Sequence, residues 1–325
     1  MTLYLHIGGA KCGSSALQAA LTRDPVLARR DGSTVEYAAI DFRGGLIRHE
    51  SLAARAGPYG YRSSPTESQL ENVDPDVTRK QLAGIAHDVV LSNESWQNSP
   101  DEWAAFLENW RMPVHVVAYI RPQVPLLNSA WWQWGAWSGD PFNQWVLGHF
   151  RECQWYARLA PWRTLPYVET VTVRLVRGDI VPDFLENVLQ ADASHYQPAR
   201  HNAALPASVL RLYQKNRHLR SGPHNSAIDF ILRKHLSVDG SAPWVFDRAW
   251  IERIIEKSRA DNERLADLLE PEMRNHFLED PRWWDPAAFA HLKPESPHPQ
   301  PLRADQLEPL CVELINSLVA LEKRA

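Results

Sequence analysis

The stretch that decides the fold is L-Y-L-H-I-G-G-A-K-C-G-S-S-A-L, residues 3–17. Residues 3–7 alternate in hydrophobicity and run into Gly8 and Gly9, which predicts a short buried strand that ends in a turn. Ser14 and Ser15 then precede apolar residues at helical spacing, and serine is favoured at the start of a helix. The sequence therefore predicts a strand, a tight loop and a helix in direct succession.

The same alternation of strands and helices continues along the chain. Strand patterns occupy residues 87–92, 114–120 and 171–176, and the second of these is the clearest. Helical patterns occupy residues 78–86, 101–110, 124–137 and 145–159, and another begins at residue 183. Strands that alternate with helices form a parallel sheet covered on both faces. We therefore expect the α/β fold class, with a P-loop-like parallel sheet flanked by helices.

Two other regions lack this alternation. Residues 29–75 are rich in Gly, Ser, Tyr and Pro and have weak periodicity, which predicts long loops with short helical pieces. No strand pattern follows residue 189, and the remaining patterns are helical, at residues 206–217, 226–235, 247–269 and 304–323. We expect residues 1–200 to form the α/β core and residues 201–325 to be a helical C-terminal part of the same domain.

The loop between the first strand and the first helix has the composition of an anion site. Glycines allow a sharp turn that exposes successive backbone N–H groups, and the start of a helix adds partial positive charge. A lysine adds a full charge, and two serines add hydroxyl donors. The expected phosphate- or sulfate-binding residues are Gly9, Ala10, Lys11, Cys12, Gly13, Ser14 and Ser15. An ordinary glycine-rich turn is the alternative interpretation.

The spacing of the loop argues against a nucleotide triphosphatase or kinase. In the triphosphatase loop, G-x-x-x-x-G-K-S/T, the lysine directly follows the last glycine. Here Lys11 precedes Gly13 by two residues. No predicted strand ends in an aspartate placed to hold magnesium. The sequence departs from the triphosphatase pattern at both points.

Residues 5–18, L-H-I-G-G-A-K-C-G-S-S-A-L-Q, resemble the 5′-phosphosulfate loop of sulfotransferases that use 3′-phosphoadenosine 5′-phosphosulfate (PAPS). In that family the loop reads close to K-T-G-T-T or K-S-G-T-T. Cys12 and the two serines depart from this spelling, although serine keeps the hydroxyl of threonine. The resemblance, to bacterial carbohydrate-sulfotransferase-like members, implies PAPS as cofactor and no metal.

The family's second signature is an arginine that ends a strand and a serine in the next helix. A-Y-I-R-P at residues 118–122, followed by Ser129, has this form. Arg121 would end its strand at the carboxyl edge of the sheet, where ligands of α/β proteins bind, and its planar fork suits phosphate oxygens. The resemblance implies that Arg121 and Ser129 hold the 3′-phosphate, and that Arg200 also reaches it. Alone, such an arginine is commonly a solvated loop residue.

Sulfuryl transfer needs charge stabilisation and a base. Lys11 is the candidate for stabilising the leaving group, although a purely binding role is equally compatible with its position. The base is either Glu94, just after the strand at 87–92, or His49, in the long loop region. Family enzymes use either residue type. Histidine needs little change in pKa, whereas Glu94 needs an apolar pocket that raises its pKa.

Composition excludes several other classes. The 325 residues carry a net charge of −4 without a long basic run, which is unlike a general nucleic-acid binder. The N-terminus lacks the features of a signal peptide, and no apolar run is long enough to span a membrane. The three cysteines are too few and too scattered for a disulfide framework or a zinc site. These features predict a reduced, cytoplasmic protein.

The sequence alone leaves open the acceptor and a non-catalytic alternative. Fourteen tryptophans, several of them clustered at residues 131–145, are either core residues or partly the lining of an acceptor cleft. The resemblance to bacterial members implies a saccharide hydroxyl as acceptor, and a tryptophan-lined cleft would suit a sugar ring or, equally, an aromatic or lipid-like molecule. A nucleotide-binding protein without catalysis would keep the loop and lack a base. The sequence gives no indication of oligomeric state.

Overall fold

The computed structural model describes residues 1–197, 205–235, 241–302 and 304–322. The chain divides into two compact units. The first comprises Met1–Arg121, Gln154–Pro198 and Arg259–Asp280, and the second comprises Pro122–Cys153, Ala199–Ser258 and Pro281–Ala325.

The first unit contains a six-stranded sheet with the order β2-β3-β6-β1-β7-β8. All neighbouring strands are parallel except β2, which pairs antiparallel with β3 at one edge. The remaining two strands, β4 and β5, form a separate antiparallel pair. The strand bounds are β1 Leu3–His6, β2 Val26–Ala28, β3 Thr34–Tyr37, β4 Ala39–Ile40, β5 Leu46–Ile47, β6 Asp88–Ser92, β7 Val114–Ile120 and β8 Val168–Leu175.

β1 occupies the centre of this sheet because its apolar side chains are covered on both faces. Leu3 and Leu5 are fully buried. β1 pairs with β6 on one side and with β7 on the other. The chain therefore leaves β1, β6 and β7 at one edge, the carboxyl edge, where ligands of open α/β sheets bind.

The α-helices of the first unit include α1, which begins directly after Gly13 and buries Leu17 and Leu21. The helix α13 belongs to this unit only from Arg259 onward. The bounds are α1 Ser14–Arg23, α2 Glu50–Ala54, α3 Glu67–Leu70, α4 Pro75–Ala83, α5 Pro100–Trp110, α9 Trp155–Leu159, α10 Ile180–Asp183, α13 Arg248–Leu265 and α14 Pro271–Glu279, with a 3-10 turn at Trp96–Asn98.

The second unit is helical and has an aromatic core. Trp131 contacts Phe142 and Trp145 edge to face, with ring centroids 4.9 and 5.5 Å apart. The clustered Trp131, Trp132, Trp137 and Trp145 are at most 4% exposed, so they are core residues. The bounds are α6 Gln123–Ala130, a π-helical turn Trp131–Gly135, α7 Ala136–Ser138, α8 Phe142–Gly148, α11 Ala207–Lys215, α12 Ala227–His235 and α15 Ala304–Glu322, with α13 up to Ser258.

The α/β fold class with a mostly parallel sheet and a helical C-terminal region is confirmed, and three local predictions are corrected. Residues 29–75 hold strands β3 to β5, whose two to four residues are too short to show periodicity. The predicted helix 145–159 is broken, because Gly148 ends α8 and Gln154 has a non-helical backbone before α9. The helix α14, which begins at Pro271, has no counterpart among the predicted helices.

In the described part of the chain, no helix combines the length and the hydrophobicity needed to cross a membrane.

Candidate anion-binding and transfer site

The loop of residues 8–13, called the glycine loop, turns through three left-handed residues. Gly8, Lys11 and Gly13 have φ values of 60°, 64° and 95°, and the Cys12 amide closes a turn onto the Gly9 carbonyl at 3.0 Å. A Cβ at Gly9 would lie 2.7 Å from the Tyr119 carbonyl oxygen. Glycine is therefore required there by close packing, and Lys11 adopts a backbone conformation that is unfavourable for its residue type.

Several amides of the glycine loop and of the start of α1 have no acceptor in the described part of the chain. Within the described ranges, the N–H groups that donate to no protein atom include those of Gly9, Ala10, Gly13, Ser14 and Ser15. The Ser14 hydroxyl is also buried there without a hydrogen-bond partner. Buried donors without acceptors are costly, and a phosphate or sulfate would satisfy them. The loop therefore fits an anionic group of this kind.

Arg121 joins the end of β7 to the glycine loop. Its guanidinium Nη1 donates to the Lys11 carbonyl at 3.0 Å, and the indole Nε1 of Trp155 donates to the Arg121 carbonyl at 3.0 Å. The ring of Trp155 also lies against Gly9, where a Cβ would be 3.1 Å from it. The structure thus brings Arg121 to the loop, and Trp155 supports both from α9.

Charged side chains surround Cys12, which is fully buried in the loop. Burial raises the pKa of its thiol to about 12. The positive charges of Arg121, Lys11 and Arg158 lower this pKa, whereas the negative charge of Glu94 raises it. Three cations and one carboxylate therefore act on one point of the loop. This excess of positive charge suits an anion that carries more than one charge.

Thiol labelling tests the burial of Cys12. Cys12 and Cys153 are buried and Cys311 is exposed. Because the reactive species is the thiolate and Cys12 stays protonated, we expect only Cys311 to react with Ellman's reagent at pH 8 in the native protein. All three should react after denaturation. Rapid native labelling of Cys12, located by peptide mapping, would contradict the described loop.

Glu94 lies against the glycine loop from the neighbouring strand β6. Its Cα would be 2.7 Å from a Cβ at Gly8. Burial raises the pKa of its carboxyl, and the charge of Lys11 opposes this effect. The preceding Asn93 fixes the turn, since its side chain donates to the Ser64 carbonyl at 2.7 Å and accepts from the Ser95 amide at 2.8 Å. A carboxyl with a raised pKa beside an anion site is a candidate general base.

His49 directly precedes α2 and contacts a different part of the sheet. Its Nε2 is 3.4 Å from a carboxylate oxygen of Glu36, which is buried and also binds Arg48. Glu36 pairs with Val89, and Val89 pairs with Leu3, the first residue of β1. Glu36, in β3, is thus level with the start of β1, whereas the glycine loop follows the end of β1. The structure brings Glu94 to the loop and places His49 with Glu36.

The other two predicted ligands of the 3′-phosphate are Ser129 and Arg200. Ser129 lies in α6 of the second unit and is half-buried. Arg200 lies outside the described residues. Their role therefore depends on the family resemblance alone.

Metal-ligating side chains do not cluster in the described part of the chain. Within the described ranges, no group of three or more His, Cys, Asp or Glu side chains could hold a metal ion.

Four residues of the site were not identified from the sequence. They are Tyr61, whose hydroxyl lies 3.4 Å from that of Ser15, and Trp155, Arg158 and Asp261. Asp261, in α13, accepts hydrogen bonds from the Tyr156 and Ala157 amides at 2.9 and 3.0 Å and so caps α9. This cap fixes the helix that carries Trp155 and Arg158. No sequence pattern links residues about a hundred positions apart, so only the structure could find the cap.

Comparison with known proteins gives one distant likeness. A scan against protein-family models finds no match, and no curated protein matches the sequence. Among solved structures, the chain is similar to a sulfotransferase from Alicyclobacillus acidocaldarius, with 13% sequence identity and a TM-score of 0.42. The likeness covers 84% of this chain and 98% of that chain. A likeness this distant carries no argument about function, which has to come from the residues of the site.

Proposed function

We propose that this protein is a sulfotransferase that moves a sulfuryl group from PAPS to the hydroxyl of an acceptor. One observation carries the proposal. The glycine loop after β1, several of whose amides have no acceptor among the described residues, is joined to Arg121 after β7 by a hydrogen bond and lies against Glu94 after β6. Amide donors, a second cation and a carboxyl group thus meet at the carboxyl edge of one sheet.

The residues divide between the two ends of the nucleotide. The loop amides and that of Ser15, together with Lys11 and the Ser14 hydroxyl, would hold the 5′-phosphosulfate. Arg121 would hold the 3′-phosphate, with Ser129 and Arg200 as further ligands on the basis of the family resemblance. The bound nucleotide supplies an activated sulfuryl group whose transfer releases 3′-phosphoadenosine 5′-phosphate (PAP).

Glu94 and Lys11 would perform the proton and charge steps. Glu94 accepts the proton of the acceptor hydroxyl while the acceptor oxygen forms its bond to sulfur. The bond between sulfur and the 5′-phosphate oxygen breaks, and its electron pair stays on the phosphate. Lys11 and the loop amides stabilise that developing charge. The proton, the sulfuryl group and the electron pair are then all accounted for.

The acceptor is proposed to be a saccharide hydroxyl. Aromatic side chains near the site support this choice. Tyr59 is 45% exposed and its ring centroid lies 6.2 Å from that of Tyr61, whose hydroxyl contacts Ser15. Such amphipathic rings suit the apolar face of a sugar. We also propose a cytoplasmic location, since the three cysteines are all free.

A transfer assay tests the proposed function. The protein is incubated with PAPS labelled with ³⁵S and a panel of sugars, phenols and hydroxylated lipids. We expect labelled product and stoichiometric PAP with at least one sugar, and both at a strongly reduced rate with Lys11→Ala. PAP binding without transfer to any acceptor would favour a non-catalytic nucleotide-binding protein. Hydrolysis of ATP that Lys11→Ala abolishes would instead favour a nucleotide triphosphatase.

A further inference from the structure

The segment of residues 62–65, called the tether, is fixed across the carboxyl edge of the sheet. Its main chain makes hydrogen bonds to α1, β3, β6 and the turn after β6. The contacts are Tyr37 Oη to the Arg62 carbonyl (2.5 Å), the Arg62 amide to Thr22 Oγ1 (3.0 Å), the Ser64 amide to the Ser92 carbonyl (3.2 Å), Asn93 Nδ2 to the Ser64 carbonyl (2.7 Å) and Trp96 Nε1 to the Pro65 carbonyl (2.9 Å).

The tether presents Tyr61 to the site. The Ser15 hydroxyl donates to the Tyr61 oxygen at 3.4 Å, and the amide of Ser15 is one of the unpaired donors at the start of α1. Burial and the charge of Glu94 raise the pKa of the half-buried Tyr61 phenol, whereas the hydrogen bond from Ser15 lowers it. Tyr61 is therefore near both the anion donors and Glu94.

The phenol proton of Tyr61 has no acceptor in the described part of the chain. The only hydrogen bond of the Tyr61 oxygen there is the one it accepts from Ser15. A hydroxyl can donate one hydrogen bond while it accepts another. The raised pKa keeps the proton in place at neutral pH. Tyr61 can therefore donate to a group bound at the glycine loop.

We propose that Tyr61 is a further catalytic residue, whose hydroxyl donates a hydrogen bond to the sulfuryl group during its transfer. The proposal rests on the proposed function. It adds a hydroxyl donor beside Ser15 to the unpaired amides of the glycine loop and of the start of α1. Such a donor stabilises the charge on the sulfuryl oxygens, and its removal affects transfer more than nucleotide binding.

The test uses Tyr61→Phe, which keeps the ring and removes the hydroxyl. The probes are PAP, PAP with orthovanadate as a mimic of the transferring group, and PAPS hydrolysis with water as acceptor. Loss of one hydrogen bond to a charged group predicts a loss of about 10- to 100-fold. We expect this loss in two quantities: the increase in PAP affinity that orthovanadate causes, and the kcat of PAPS hydrolysis. The affinity for PAP alone and the melting temperature should be unchanged.

Tyr4→Phe is the matched control, because Tyr4 lies at the other end of β1 and its ring packs on His115. It should behave as the wild type in all three assays. The inference is overturned if orthovanadate increases the PAP affinity of Tyr61→Phe as much as that of the wild type, or if the variant binds PAP alone more weakly by the same factor. It is also overturned if orthovanadate does not increase the PAP affinity of the wild type. Absence of PAP binding to the wild type would instead overturn the proposed function itself.

Discussion

The variant Glu94→Gln is expected to lose about 10²- to 10⁴-fold in the rate of sulfuryl transfer while it binds PAP as tightly as the wild type. The amide keeps the size of the side chain and removes its ability to accept the proton. The measurement is single-turnover transfer from labelled PAPS, together with calorimetric titration of PAP. The exposed Glu108→Gln in α5 serves as the control. Wild-type transfer by Glu94→Gln would exclude Glu94 as the base, and loss of PAP binding would show a structural role.

The pH dependence of transfer follows from the same carboxylate. Only the ionised form of Glu94 accepts a proton, so kcat/KM rises as pH increases through the pKa of Glu94. Burial places that pKa above the ordinary value of 4.5. The charge of Lys11 lowers the pKa of Glu94. In Lys11→Ala that pKa should therefore be higher, and the activity that remains should fall off at a higher pH than in the wild type. An acid limb below pH 4.5 in the wild type would contradict the buried carboxylate.

The stability of Glu94→Gln gives an independent check. A carboxyl whose pKa is raised in the folded state binds its proton more tightly there than in the unfolded chain, so ionisation destabilises the fold as pH rises. At pH 7 the neutral glutamine avoids this cost, and we expect a higher melting temperature than that of the wild type. The difference should vanish at a pH below the pKa of the unfolded carboxyl.

The variant Arg121→Ala is expected to lose about 10- to 100-fold in affinity for PAP, because a charge-assisted contact to phosphate is lost. The affinity for adenosine 5′-monophosphate, which has no 3′-phosphate, should stay unchanged. Both are measured by calorimetry. Arg163→Ala removes an exposed arginine from the 3-10 turn before β8 and is the control.

A parallel loss for both nucleotides would give Arg121 a different role. The guanidinium donates to the Lys11 carbonyl, so it could act only by holding the glycine loop in shape. In that case the 5′-phosphate and the 3′-phosphate would be affected alike. The ratio of the two affinities therefore separates direct recognition of the 3′-phosphate from support of the loop.

Much of the site could be predicted because its parts follow strands directly. The glycine loop, Glu94 and Arg121 each come after a strand with a clear apolar pattern, and parallel strands end at a common edge. The position of each residue relative to its strand was enough to predict their neighbourhood. Strand order was not needed for this prediction.

The remainder depends on contacts between distant parts of the chain. His49 and Glu94 compete as candidate bases in the sequence, and only the pairing of Glu36 with Val89 shows where His49 lies. Tyr61 reaches Ser15 because five side-chain and main-chain hydrogen bonds fix residues 62–65. The very short strands between residues 34 and 47 carry too few residues for a periodic pattern.

Calorimetric titration of the wild type with PAP tests the central claim most directly, because the site is proposed to hold both phosphate groups at once. We predict saturable binding of one PAP per chain, with weaker binding of both adenosine 5′-monophosphate and adenosine 3′-monophosphate. Absence of binding, or equal affinity for PAP and for unphosphorylated adenosine, would contradict the account.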